Sequence, residues 1–264
     1  MMNMIRADIF RILRGKALYI TFAAVLALNV LMVATSEPAG VSIGVNDKER
    51  YEEQESVIFD GLNIVEILYT NLNNMSYFIL PLLILVIAPM FSNGSVKNGL
   101  SRGMSRTKLY IEKLLLSSGL SLLLMLFYIA SGVLIATVLR GYGGPPPDGY
   151  WQNIIKTCSS QFFMMLSLNC VGTFLVFVSK RTSVVIGAYI AFSIVPAFII
   201  MALMNANPDF IRFYDFDIQN IISKFGFFEA LEPNDFVKSF ATGAVYIIAT
   251  IVAGTALFKK AEIK

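Results

Sequence analysis

An all-α, polytopic membrane fold follows from three observations on this chain. Six long apolar stretches run through it, each near the roughly 20 residues that carry a helix across a bilayer core. Hydrophobic residues make up 56% of the chain and mean hydropathy is +0.67, well above an ordinary soluble domain. Finally, Lys and Arg gather in alternate connections between the stretches.

The spans are read as 16–36, 72–91, 109–139, 153–179, 183–204 and 236–258. The third is about 46 Å long at the helical rise, more than the hydrocarbon core needs, so one end projects or tilts. The second is the least regular, since Asn71, Asn73 and Asn74 interrupt its start. Residues 1–16, 92–113, 180–181 and those after 258 hold 14 basic residues against three acids, Asp8, Glu112 and Glu262. The remaining connections and spans carry 7 basic residues and 15 acids. Lys/Arg excess marks the cytoplasmic face, so both termini are expected in the cytoplasm of a multi-pass membrane protein. The first span also matches a secretory signal, with basic residues ahead of an apolar core and Ala34-Thr35-Ser36 behind it. Sixteen residues are long for the leading region of such a signal, and five further spans need no cleavable one. The stretch is read as a retained helix.

Ahead of it, residues 1–15 read as an interfacial helix. Met2, Ile5, Ile9, Ile12 and Leu13 recur at helical spacing, with Asp8, Arg11 and Arg14 opposite them. Gly15 offers a break before the first span. Residues 37–71 form an acidic loop, from which Ile58, Leu62, Val65 and Leu72 begin a helix leading into the second span. Asp47, Glu49, Glu52, Glu53 and Glu55 cluster there and read as a solvated face. Pro81 and Pro89 in the second span and Pro196 in the fifth are expected to kink or break their helices. Residues 141–149, with Pro145, Pro146 and Pro147, form a rigid turn. The segment 205–235 alternates Phe and Ile with acids; it is too apolar for a free loop and too charged for a span, so short extracellular amphipathic or re-entrant helices are expected. No soluble domain is evident, and the chain reads as one transmembrane domain, 1–264.

Composition excludes much chemistry. There is no His, the commonest general base and neutral metal ligand. Cys158 and Cys170 lie in one helix about 18 Å apart along it, beyond disulfide reach. Ionisable residues avoid the interiors of the spans, where a membrane enzyme needs them. No catalytic residue, bound cofactor, metal ligand or nucleic-acid partner is expected. Residues 94–99 fit G-x-x-x-x-G, but Leu100 stands where a phosphate-binding loop requires Lys. Any ATP-driven step therefore needs a separate ATPase.

Between the second and third spans lies G-S-V-K-N-G-L-S-R-G-M-S-R-T-K-L-Y-I-E-K, residues 94–113. If helical, it places Arg102, Arg106 and Lys113 within about 40° of one another, one basic ridge, and Ser101 and Ser105 are placed to cap short turns. Positive-inside topology alone accounts for much of such a loop. With six spans and the interfacial helix, however, the segment resembles the membrane subunits of ABC-2 type exporters. It is most similar to the small Firmicutes permeases grouped with antimicrobial-peptide immunity, lantibiotic and toxin-peptide export. The resemblance covers the whole chain in layout, and its specific residues are concentrated in 94–113. It implies an ATPase-coupling segment, 92–108, with Gly94, Lys97, Arg102, Arg106 and Lys108 as contact residues. It also implies two cytoplasmic ATPase subunits carrying the ATP, and a second permease subunit as homodimer or heterodimer partner. The family tends to carry Glu just ahead of the Gly; here Ser92 and Asn93 stand there. An amphipathic or lipophilic substrate, a bacteriocin or toxin peptide by the resemblance, would lie in a mostly apolar cavity. Phe162, Phe163, Met164 and Met165 are the candidates for lining it, though core packing explains them as well. Outside transport, the residues also allow a membrane scaffold or sensor; within it, a lipid or drug exporter.

Overall fold

The computed structural model describes residues 2–35, 59–92, 96, 100–101, 103–226 and 233–260. Among them there is no strand, and six helical segments are long and apolar enough to cross a membrane. The chain is an all-α polytopic membrane protein. Helix α1 spans Met2–Arg14 and α2 Lys16–Thr35, with Gly15 as the break between them. The second span, Leu72–Phe91, is built from pieces. A short α3, Ile64–Thr70, leads to α4, Leu72–Met75, then a 3₁₀ turn, Ser76–Phe78, then α5, Ile79–Ser92. The remaining long helices are α6, Arg106–Arg140, α7, Tyr150–Ser179, and α8, Thr182–Ala206. A 3₁₀ segment, Pro208–Phe216, and α9, Ile218–Gly226, precede α10, Pro233–Lys260.

The breaks have local causes. Asn71 leaves helical geometry at φ −94°, ψ 8°, and its side-chain amide donates back to the Ile67 carbonyl at 2.9 Å. Such side chains offer the backbone an alternative to continued helix. Pro81 falls in the first turn of α5, where its missing N–H is tolerated, while Pro89 and Pro196 lie inside their helices. The third span starts earlier than the apolar pattern indicated. Ser105 is extended, and its Oγ accepts the Lys108 N–H at 3.3 Å, capping α6 at Arg106.

Helix α7 is central, packing against α5, α6, α8, α9 and α10. Polar side chains stitch the long helices. Asn29 on α2 donates to the Tyr128 carbonyl and the Ser131 hydroxyl of α6, at 2.9 and 2.7 Å. Asn169 on α7 donates to Ser117 and Ser118 of α6 at 3.0 and 2.9 Å. Leu115, Leu123, Leu126 and Leu134 of α6 and Val245, Ile248 and Val252 of α10 point outward and are exposed, as lipid-facing positions must be.

Contacts gather the segments into two ends. At one, α1 meets α5 and the first turns of α6, and the start of α6 meets the end of α10. At the other, the Gly61 and Leu62 N–H groups donate to the Gly141 and Tyr142 carbonyls at 2.9 and 3.0 Å. Tyr150 Oη donates to the Leu62 carbonyl at 2.9 Å. Here α9 is not a loosely held surface helix. Ile218, Ile221, Ile222 and Phe225 are buried, and Gln161 of α7 donates to both the Tyr69 and Ile222 carbonyls, at 2.7 and 3.0 Å.

Candidate functional site

The basic end of the bundle carries a charge cluster that the span pattern does not announce. Asp8 of α1 forms an ion pair with Lys113 of α6, with Lys113 only 2% exposed. Arg11 bridges Asp8 at 3.2 Å and donates to the Val86 carbonyl of α5 at 3.0 Å. Glu112, next to Lys113, is fully buried, and among the described residues neither carboxylate oxygen has a hydrogen-bond partner. Taking charges out of water is costly unless they are paired. The Asp8–Lys113 pair therefore holds α1 against α6, and Arg11 ties it to α5.

The pair also sets how α1 lies against the bundle. Asp8 and Ile12 are buried, while Ile9, Phe10 and Leu13 are exposed. Asp8 turns inward because it finds Lys113 there, and Arg11 reaches the Val86 carbonyl, while Arg14 stays exposed with Ile9 and Leu13. Of the ridge expected from Arg102, Arg106 and Lys113, Arg102 lies outside the described residues, and the other two turn to different partners. Gly103 turns with φ +82° and helix α6 begins only at Arg106. Lys113 is occupied by Asp8, while Arg106 Nη1 donates to the Phe258 and Lys259 carbonyls of α10 at 2.9 and 2.7 Å. A basic side chain on the terminal carbonyls of a helix also complements its dipole.

Beneath Arg106 lies an aromatic cluster from four helices. Phe177 of α7 sits 4.7 Å from Tyr110 of α6, 4.8 Å from Phe258 of α10 and 5.6 Å from Phe91 of α5, ring centre to ring centre. Such contacts in a dry site favour a fixed arrangement. Four helices therefore meet at one packed point directly below the start of α6.

Of the coupling residues expected from sequence, Arg106 and Lys108 stand at the first turn of α6, Arg106 turned onto α10 and Lys108 exposed. Gly94, Lys97 and Arg102 lie outside the described residues, as does most of the acidic loop. Met164 and Met165 are fully buried, and Phe163 packs on Phe240 at 5.0 Å. None of Phe162, Phe163, Met164 and Met165 lines the cavity of about 330 Å³ found elsewhere, between α8, the 3₁₀ segment and α10. Among the described residues no group of three His, Cys, Asp or Glu could hold a metal ion.

Sequence reasoning missed the Asp8–Lys113 pair, because Asp8 alone reads as part of an interfacial face and Lys113 as part of a basic ridge. The signal was an acid in a basic N-terminal helix matched by a Lys one turn inside an apolar span. It also missed Asn29 and Asn169, single amides whose Ser partners at helical spacing were readable. Comparison with protein-family models and with curated proteins gives no match.

Proposed function

We propose that this chain is the permease subunit of an ATP-driven ABC-2 type exporter in a bacterial cell membrane. It pairs with a second permease subunit and two cytoplasmic ATPase subunits, and moves an amphipathic peptide out of the cell or membrane. The chain itself performs no chemistry; ATP is bound and hydrolysed on the partner subunits.

The observation that carries this reading is the locked basic end. Asp8–Lys113, Arg11–Val86 and Arg106–Phe258 join α1, α5, α6 and α10 at the point where residues 92–105 connect two spans. A push on that connection or on α1 would reach three spans at once, which is what coupling to an external motor requires. Coupling of this kind travels through packed elements with discrete arrangements. A scaffold protein has no need of such a transmission point.

The test is co-purification. The tagged chain, expressed with the reading frames beside its own, should retain a protein carrying G-x-x-x-x-G-K-[ST]. Lys108→Glu, which reverses an exposed charge in the first turn of α6, should reduce that recovery while leaving membrane insertion intact. Recovery of the chain with no ATPase under mild detergent would remove the exporter reading in favour of the scaffold.

A further inference from the structure

The cavity of about 330 Å³ lies at the end of the bundle opposite the charge cluster, and falls at the low end of the ~300–1,000 Å³ of small-molecule sites. One wall is α8, with Phe192, Pro196 and Leu203; the facing wall carries Phe213, Phe216 and Tyr246. Its lining includes a single ionisable acid, Asp217, which is only 7% exposed. Asp217 caps α9, accepting the Gln219 N–H at 3.3 Å, so part of its role is structural. The cap does not supply a counter-charge. Nearby, Asp215 is bridged by Lys224 at 3.4 Å and by Lys238 at 3.9 Å, whereas no ion pair involves Asp217 among the described residues. Tyr246 already gives its hydroxyl to the Phe216 carbonyl at 3.3 Å. Pro196 has no N–H for the Phe192 carbonyl one turn before it, so the polar character of the lining is mainly that of an acceptor.

The lining thus combines four aromatic rings with one carboxylate in an apolar hollow. Ring faces attract ammonium groups, the more so when water is excluded, and the carboxylate supplies the full opposite charge. We propose that this cavity binds an alkylammonium amphiphile, its cationic head between Asp217 and the aromatic wall and its chain along α8. The charge complementarity selects this occupant over an ordinary lipid chain or a second copy of the protein, neither of which uses Asp217. The site stands apart from the exporter reading: its test needs the purified chain alone, without ATP or ATPase, so either can fail without the other.

The experiment places one reporter in the cavity. Leu203→Cys is introduced together with Cys158→Ser, Cys170 being buried. Its alkylation by N-ethylmaleimide is followed in a maltoside detergent at pH 8, with decyltrimethylammonium or decyl sulfate added. The cation should slow labelling about tenfold more than the anion at equal concentration, the scale of one favourable charge contact. Asp217→Asn, which keeps the cap, should erase that difference. Phe213→Leu, at the exposed rim, should weaken protection by the cation more than by the anion and serves if the Asn variant fails to fold. Equal protection by both amphiphiles in the parent overturns the proposal, and so does a cation preference that persists in Asp217→Asn. Protection that instead follows protein concentration without amphiphile would assign the cavity to a second copy, and also overturns it.

Discussion

Asp8 and Lys113 are 105 residues apart in sequence and meet in a buried junction. Removing one member of such a pair strands the other, a loss of about 3–5 kcal/mol in buried settings. The two halves should not be equivalent. Lys113→Met leaves Asp8 its bridge to Arg11, whereas Asp8→Ala leaves Lys113 buried with no ion-pair partner among the described residues. Asp8→Ala should therefore lower the unfolding midpoint in detergent more than Lys113→Met, and Asp8→Leu combined with Lys113→Met should regain most of the loss. Midpoints for both single variants that match the parent's would mean that the pair does not hold α1. Asp217 supplies a second residue-scale prediction. Burial pushes its carboxyl from the ordinary 3.8 up to about 6, so the folded protein favours the neutral acid. That stabilisation is complete below about pH 4 and is lost as pH rises through 6, on the order of 3 kcal/mol. The titratable groups that face it are Tyr77 and Tyr246. Asp217→Asn should flatten that part of the stability profile and be the more stable protein at pH 8; an unchanged slope between pH 4 and 7 would refute the assignment.

At the scale of elements, the docking of α9 depends on one close approach. A Cβ on Gly226 would stand 2.8 Å from Thr70 Cα and 2.9 Å from its nitrogen, both backbone atoms that cannot swing aside. Gly226→Ala should then cost about 1–3 kcal/mol as α9 lifts from α3. Gly187→Ala on α8, with nothing within 4 Å of its Cβ position, should be neutral or slightly stabilising by helix propensity. Thermal unfolding of the two variants side by side separates a packing effect from a general intolerance of glycine replacement. The same elements show what was legible in the sequence. Hydropathy located all six spans, and Gly15, Asn71 and the mixed segment before α10 declared themselves by residue type. The helices run past the spans that hydropathy marks, as where capping by Ser105 starts α6 at Arg106, ahead of its apolar pattern. That Asp8 and Ile12 turn inward on α1 was illegible for a different reason. Periodicity reports which residues share a face, and only the partner, here Lys113, decides whether that face is buried. The cavity was hidden likewise: its walls come from α8, α10 and the 3₁₀ segment, with Asp217 contributed by a stretch read only as amphipathic or re-entrant helices.

For the whole molecule, orientation is the property on which any transport reading depends. The segments with 14 of the 21 basic residues were expected on the cytoplasmic side, and the contacts of α1, α5, α6 and α10 bring most of them to one end. Charge asymmetry sets direction through the cost of carrying Lys and Arg across the membrane, not through any contact in the folded bundle. The prediction must therefore be tested on the inserted protein. Ser183, at the start of α8, and Gly144, in the proline-rich turn, are both exposed and lie beyond opposite ends of α7. In a chain with Cys158 replaced by Ser, a cysteine at Gly144 should react with a membrane-impermeant maleimide in intact cells. A cysteine at Ser183 should react only after the membrane is opened. Both positions reacting in intact cells would break the six-span topology. The reverse pattern would keep the six spans and put the Asp8–Lys113 cluster outside, where no ATP-driven partner can reach it, and the exporter proposal would fall with the orientation.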